Sequence, residues 1–181
     1  IDFSVQLVET VSKNVCTGPS RVYAVGGSNG GMFVWDLARH EASANTFSAI
    51  ASLIGMPHRG YLDPPVVERG MPAILITGIN DRTSPPGEWG DNAFTTTSDG
   101  DYFHYTGATA ITEAWASAHR CDTSVPASPL DVGVADVECR AWSYCDGESQ
   151  WPPVMDCRQE IGHRYGLGWS WPLILDFFEQ Q

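Results

Sequence analysis

Three short apolar runs set the rhythm of the chain: residues 22–25 (VYAV), 47–55 (FSAIASLIG) and 72–78 (PAILITG). None alternates between apolar and polar side chains. Strands of this kind belong to a parallel sheet covered on both faces. Between and around them the period changes. Ile1, Val5, Val8, Val11 and Val15 recur at three- and four-residue steps and predict an amphipathic helix over 1–16, with Asp2 or Ser4 placed to cap it. The TGPS stretch at 17–20 breaks that helix. A second helix is expected over 32–39 with Met32, Phe33 and Leu37 packed, and a third over 107–119 with Ile111, Trp115 and Ala118 on one face. Residues 137–144 and 154–161 read as shorter strands joined by an acidic loop at 145–151. Residues 171–181 read as a closing helix with Ile174, Phe177 and Phe178 inward. Residues 56–71, 79–86 and 87–106 read as loops rich in Pro, Gly, Asn, Asp and Thr. Buried strands alternating with helices predict an α/β fold, a doubly wound, mostly parallel sheet in a single domain over 1–181. Functional groups of such sheets gather at the carboxyl ends of the strands.

The run at 22–25 leads straight into Gly26-Gly27-Ser28-Asn29-Gly30 and then into the 32–39 helix. Strand, G-x-S-x-G, helix is the setting of a nucleophile elbow. A serine forced onto so tight a turn has a strained backbone, and small residues two before and two after it, Gly26 and Gly30, avoid a clash. The turn lifts the Ser28 hydroxyl above the sheet and aims the amides at the helix start, Asn29 N–H among them, at a developing oxyanion. A phosphate loop is set aside, because no G-x-x-x-x-G-K-[ST] pattern occurs and the only lysine is Lys13. Asp81 lies three residues past the 72–78 strand, and His163 follows the last strand. Ser, Asp, His in that chain order points to a triad: His163 takes the serine proton, and Asp81 fixes its tautomer and stabilises the imidazolium. His40, His58, His104 and His119 lie at helix ends or in loops away from strand ends and are weaker candidates. The aromatic stretch 87–106, with Trp89, Phe94, Tyr102, Phe103 and Tyr105, is either a lid or acyl-binding wall or a small satellite cluster. Asp99 and Asp101 lack the rest of an EF-hand spacing, which sets calcium aside.

Composition narrows the partners. Ten basic against 22 acidic residues give a net charge of −12, which disfavours nucleic acid and anionic membrane surfaces. No apolar run approaches the ~18 residues of a membrane span. Four of the five cysteines, Cys121, Cys139, Cys145 and Cys157, crowd the last third and suggest two disulfides in an oxidising compartment. The pairing expected is Cys121–Cys139 with Cys145–Cys157, although spacing does not fix connectivity. Cys16 is left over. The alternative is five buried free thiols in a cytosolic protein. With no initial methionine and no signal-like segment, the chain reads as processed or partial.

RVYAVGGSNGGM with its helix and FSAIASLIG, ILITGINDRTSPP, the Trp115 helix leading into Cys121, and a late Gly-His followed by Trp-Pro together resemble the poly(3-hydroxybutyrate) depolymerase and feruloyl esterase branch of the α/β-hydrolases. The resemblance covers nearly the whole chain and is strongest at the elbow. It implies a secreted carboxylic ester hydrolase with a Ser28–Asp81–His163 triad, Asn29 N–H as one oxyanion donor, no metal and no organic cofactor. The implied substrates are small esters, polyesters or polysaccharide-linked esters of aromatic or short hydroxy acids. GGSNGG also occurs in prolyl-oligopeptidase-type peptidases, and the late cysteines and Trp-Pro favour the esterase group.

The chain departs from that family in two places. Residues 164–170 intervene between His163 and Trp171-Pro172. The family also carries, before the equivalent of Ile1, its first strands and the His-Gly loop that supplies a second oxyanion amide. The likeness is therefore to the C-terminal portion of such a domain, and it implies an N-terminal companion segment, in cis or as a second chain. Residues 1–181 by themselves are then expected to be poorly soluble or inactive, with the run at 22–25 at an open sheet edge. The competing reading is a hydrolase-fold domain kept as a non-catalytic structural or interaction module of a larger extracellular assembly.

Overall fold

A computed structural model describes residues 1–16, 18, 21–61, 70–98, 100, 102–145 and 151–181. Most of the helix break at 17–20, most of the second half of the 56–71 loop, Asp99, Asp101 and the acidic stretch 146–150 lie outside the described residues. In chain order the elements are α1 (Asp2–Asn14), β1 (Tyr23–Gly27), α2 (Asn29–Arg39), α3 (Glu41–Ala44), β2 (Ala49–Leu53), β3 (Ala73–Gly78), β4 (Phe94–Thr96), β5 (His104–Thr106), α4 (Ala108–Ala118), β6 (Ser128–Leu130), β7 (Val137–Ala141), β8 (Val154–Gln159) and α5 (Leu167–Glu179). Six strands form one sheet in the order β1-β2-β3-β8-β7-β6. β1, β2, β3 and β8 run parallel, and β7 and β6 continue antiparallel.

Helices cover both faces of this sheet. On one face Ile50, Ala73, Leu75 and Val154 meet Trp35 of α2 and Ile111 and Trp115 of α4. On the other, Ala51, Ile74, Ile76 and Met155 meet Leu173, Ile174, Phe177 and Phe178 of α5. Successive residues of a strand point to opposite faces. A strand with a helix layer on each side presents no face to water, and β2 and β3 are buried throughout, including Ser52, whose hydroxyl donates to the Gly31 and Gly55 carbonyls. Trp35 and Trp115 meet edge to face at 4.9 Å, and Trp35 Nε1 donates to the Gly55 carbonyl at 3.1 Å. Truncating either ring would cost roughly 3–5 kcal/mol.

One charged pair is buried in the α4 layer. Arg158 Nη2 and Nε donate to Asp156 at 2.7 and 3.1 Å, and both side chains are almost fully enclosed. Burial pushes the Asp156 carboxyl above its ordinary range, and the Arg158 guanidinium pulls it back. The rest of the guanidinium bonds Gly87 O and Thr109 Oγ1 and lies 3.7 Å from the centre of the Trp89 ring. Those contacts tie the 87–89 stretch, just beyond the loop that holds Asp81, to β8.

Several expectations change. α1 forms, but it is capped by neither Asp2 nor Ser4, and it buries no residue. Ile1 and Val8 rest against the core, whereas Phe3, Leu7, Val11 and Val15 form an exposed stripe. β1 lies at the open sheet edge expected for the run at 22–25, and with Val25 37% exposed its covering on both faces is only partial. α2 begins at Asn29, not Met32, and packs through Val34, Trp35, Leu37 and Ala38; Phe33 points outward. The 87–106 stretch contains the β4–β5 hairpin, whose three-residue strands are too short to show a period. β6 was not anticipated, since Pro129 argues against a strand except at an edge, which is where it lies. α5 starts at Leu167 and carries Pro172 inside it.

The disulfides are Cys121–Cys145 and Cys139–Cys157, not the expected pairing, and Cys16 is free and exposed. The cause is register. β7 and β8 are antiparallel with Cys139 directly opposite Cys157, so their side chains share one face. Cys121, just past α4, is left to meet Cys145, just past β7. Peptide mapping of the native, unreduced protein is expected to recover these two linked pairs, with Cys16 alone alkylated. Recovery of Cys121–Cys139 would contradict the β7–β8 register.

Candidate active site

Ser28 sits between β1 and α2 with φ 53° and ψ −118°. A residue with a side chain held there is strained by roughly 1–3 kcal/mol. Its surroundings impose the conformation. Ser28 N donates to Leu53 O at 2.8 Å, and Ser28 O accepts from Met32 N at 3.0 Å. A Cβ on Gly26 would overlap the Gly30 carbonyl, and one on Gly55 would overlap the Ser28 carbonyl. A Cβ on Gly31 would stand 2.8 Å from Ser52 Oγ and 3.0 Å from Gly55 Cα. Gly26, Gly31 and Gly55 thus let the elbow close onto the end of β2. Gly30 differs from expectation: a Cβ there meets nothing within 4 Å. The tight contact is between the Gly26 Cα and the Gly30 backbone, so only the first of the two glycines is required to lack a side chain.

Ser28 occupies the N-cap position of α2, where a serine commonly bonds a first-turn amide. It makes no such bond. Its Oγ instead lies 3.0 Å from His163 Nε2, and His163 Nδ1 lies 2.7 Å from Asp81 Oδ2. The Asp81 side chain is fully buried and that of His163 about a quarter exposed. The other carboxylate oxygen, Asp81 Oδ1, accepts from the amides of Thr83 and Ser84 at 2.8 and 2.9 Å. A carboxylate that accepts everywhere requires a proton on His163 Nδ1. Nε2 then carries the lone pair and accepts from the serine hydroxyl.

The loops that hold these groups are bound to one another. His163 follows β8, and Asp81 follows its neighbour β3. Asn80 N donates to Ile161 O at 3.0 Å, and Ile79 N donates to Gln159 O at 2.8 Å. A Cβ on Gly78 would overlap the Ile161 carbonyl, so glycine there lets the His163 loop lie against the end of β3. Asn29 opens α2 beside Ser28. By the i→i−4 pattern the amides of the first turn have no acceptor within the helix, and the positive end of its dipole faces this side.

The four remaining histidines have other roles or surroundings. His40 caps α3 by accepting from Ala42 N, His58 stacks on Tyr105, His104 pairs with Thr96, and His119 lies against Gly70. The β4–β5 hairpin is strapped to the residue beside Asp81, with Thr97 Oγ1 and Ser98 N both donating to Arg82 O. Tyr105 packs into the core while Phe94, Tyr102 and Phe103 stay exposed. A cavity lined by Trp89, Trp142, Arg140 and Asp156 lies on the α4 side and touches none of the three central residues. Among the described residues no group of three or more His, Cys, Asp or Glu is arranged to hold a metal.

Sequence reasoning named Ser28, Asn29, Asp81 and His163 but missed the Thr83 and Ser84 amides and the Gly55 and Gly78 contacts. The glycines leave a signal, since each ends an apolar run. No protein-family model matches the chain, and a search of curated proteins finds no match to it.

Urea unfolding is expected to separate the two elbow glycines. Gly26→Ala should cost about 2–4 kcal/mol through backbone overlap. Gly30→Ala, in open space at a helix start, should change stability by less than about 1 kcal/mol. Equal losses would contradict the elbow geometry.

Proposed function

We propose that the protein is a secreted serine carboxylic ester hydrolase with an α/β-hydrolase fold, of the polyhydroxyalkanoate depolymerase or feruloyl esterase type. The observation that carries this reading is the continuous hydrogen-bond chain from Ser28 Oγ through His163 to a buried, doubly amide-bonded Asp81, built on a strained turn. A serine that gives up its helix cap to face a histidine has exchanged a structural bond for a reactive one.

In the proposed mechanism Ser28 Oγ attacks the ester carbonyl carbon as its proton passes to His163 Nε2. The Asp81 carboxylate stabilises the imidazolium and holds its orientation. Asn29 N–H donates to the oxyanion, aided by the α2 dipole. His163 then gives the proton to the departing alkoxide, leaving an acyl-enzyme on Ser28. Water, deprotonated by the same nitrogen, releases the acid. The acyl group is an aromatic or short hydroxy acid, of a small ester, a polyester or a polysaccharide-linked ester. Two disulfides support an oxidising compartment. No helix among the described residues is long and apolar enough to cross a membrane.

A second reading, a hydrolase fold kept as an interaction module, draws on the half-exposed edge strand β1 and the apolar stripe of α1. A companion segment or chain against that edge is part of both readings.

A fluorophosphonate probe applied to the native protein separates them. Labelling is expected at Ser28, absent in Ser28→Ala and slowed at least about 100-fold in His163→Ala. Asp81→Asn should lower kcat by about ten-thousandfold by reversing the histidine tautomer. A folded protein that takes up no label would favour the interaction module. A panel of esters and peptides then distinguishes an esterase from a serine peptidase.

A further inference from the structure

Tyr165, two residues beyond His163, reaches from the β8 loop back to the end of β1. A Cβ built on Gly27 would overlap Tyr165 Cε1 and stand 2.9 Å from its Cζ. The ring therefore lies directly on the residue that precedes Ser28. β8 and β1 are separated by β3 and β2, three strand spacings or roughly 14 Å, so the loop crosses the carboxyl end of the sheet to make this contact. The crossing is held firmly. Ser170 Oγ, on a fully buried residue, donates to the Tyr165 carbonyl at 3.1 Å. Gly166 adopts φ 57°, and Ser170 N donates back to its carbonyl. Trp169 Nε1 donates to Gln159 Oε1 of β8 at 2.7 Å. Tyr165 as a whole residue is nonetheless 42% exposed. The ring rests on Gly27, the residue before Ser28 in the chain, and Tyr165 keeps part of its surface open to solvent.

We propose that Tyr165 is a specificity-determining residue, the aromatic wall against which the alcohol portion of the ester lies. This rests on the esterase reading and assigns the side of the site. The departing alkoxide oxygen must take its proton from His163 Nε2, so the leaving group lies on the His163 side. The carbonyl oxygen lies on the opposite side, at the start of α2. Tyr165 comes from the His163 loop and therefore borders the leaving group. Its open surface suits a flat or apolar alcohol, such as a phenol or an aryl-substituted alcohol, over methanol.

The test is a pair of esters of one acid, methyl and aryl, hydrolysed by the native protein and by Tyr165 variants. Tyr165→Ala is expected to raise KM for the aryl ester on the order of tenfold, the scale of one lost aromatic contact, with kcat and the methyl ester nearly unchanged. Tyr165→Phe should behave as the native protein. Gly27→Ala, which displaces the ring, should reproduce the selective loss, with fluorophosphonate labelling of Ser28 reporting that the nucleophile is intact. Equal effects on both esters, or none, with labelling intact would overturn the role of Tyr165 and leave the esterase reading standing. Absence of hydrolysis and labelling in the native protein would overturn both.

Discussion

The carboxyl end of the sheet is organised by the closeness with which Ser28, at φ 53°, is pressed onto the end of β2. That contact exists only because Gly26, Gly31 and Gly55 present no side chains where two backbones meet. A single Cβ at Gly26 or Gly55 would overlap a backbone carbonyl of the turn and force it to open. The strain is small against the burial of β2 and β3 on both faces, and that burial makes the turn sustainable.

The same logic governs the other two loops. The residues that meet at Ser28 come from the ends of β1, β3 and β8, and β1 and β8 are three strand spacings apart. Their loops have to lean across the tops of the strands between. Gly78 lets the His163 loop settle on β3, and the backbone bonds of Ile79 and Asn80 fasten it there. Behind them the buried Asp156–Arg158 pair anchors the stretch beyond Asp81 to β8. Removing Asp156 alone would leave a buried guanidinium unpaired, a loss of about 3–5 kcal/mol.

Much of this was legible in the residues. The largely apolar runs at 49–53 and 73–78 reported a sheet covered on both faces; Ser28 and Asp81 stood out because each comes just past an apolar run, and His163 because it follows the last strand. What was hidden depended on register and tertiary packing. Cysteine spacing does not reveal that Cys139 faces Cys157 across an antiparallel ladder. The period of α1 does not reveal that Val11 and Val15 lie on the uncovered side. Gly30 fitted a motif whose steric demand falls on Gly26. The closing helix read over 171–181 begins earlier, at Leu167, and takes Pro172 within its first turns. Tyr165 carries no local signal, since its partner Gly27 is 138 positions earlier in the chain.

The central claim is that Ser28 is a nucleophile made reactive by His163. Rapid mixing of the native protein with p-nitrophenyl acetate, acid quench and intact mass measurement tests it most directly. The account predicts one added acetyl group, mapped to the peptide containing Ser28, formed in a burst with p-nitrophenol and absent from His163→Ala. An unmodified mass, or acetyl on another residue with Ser28 free, would contradict it.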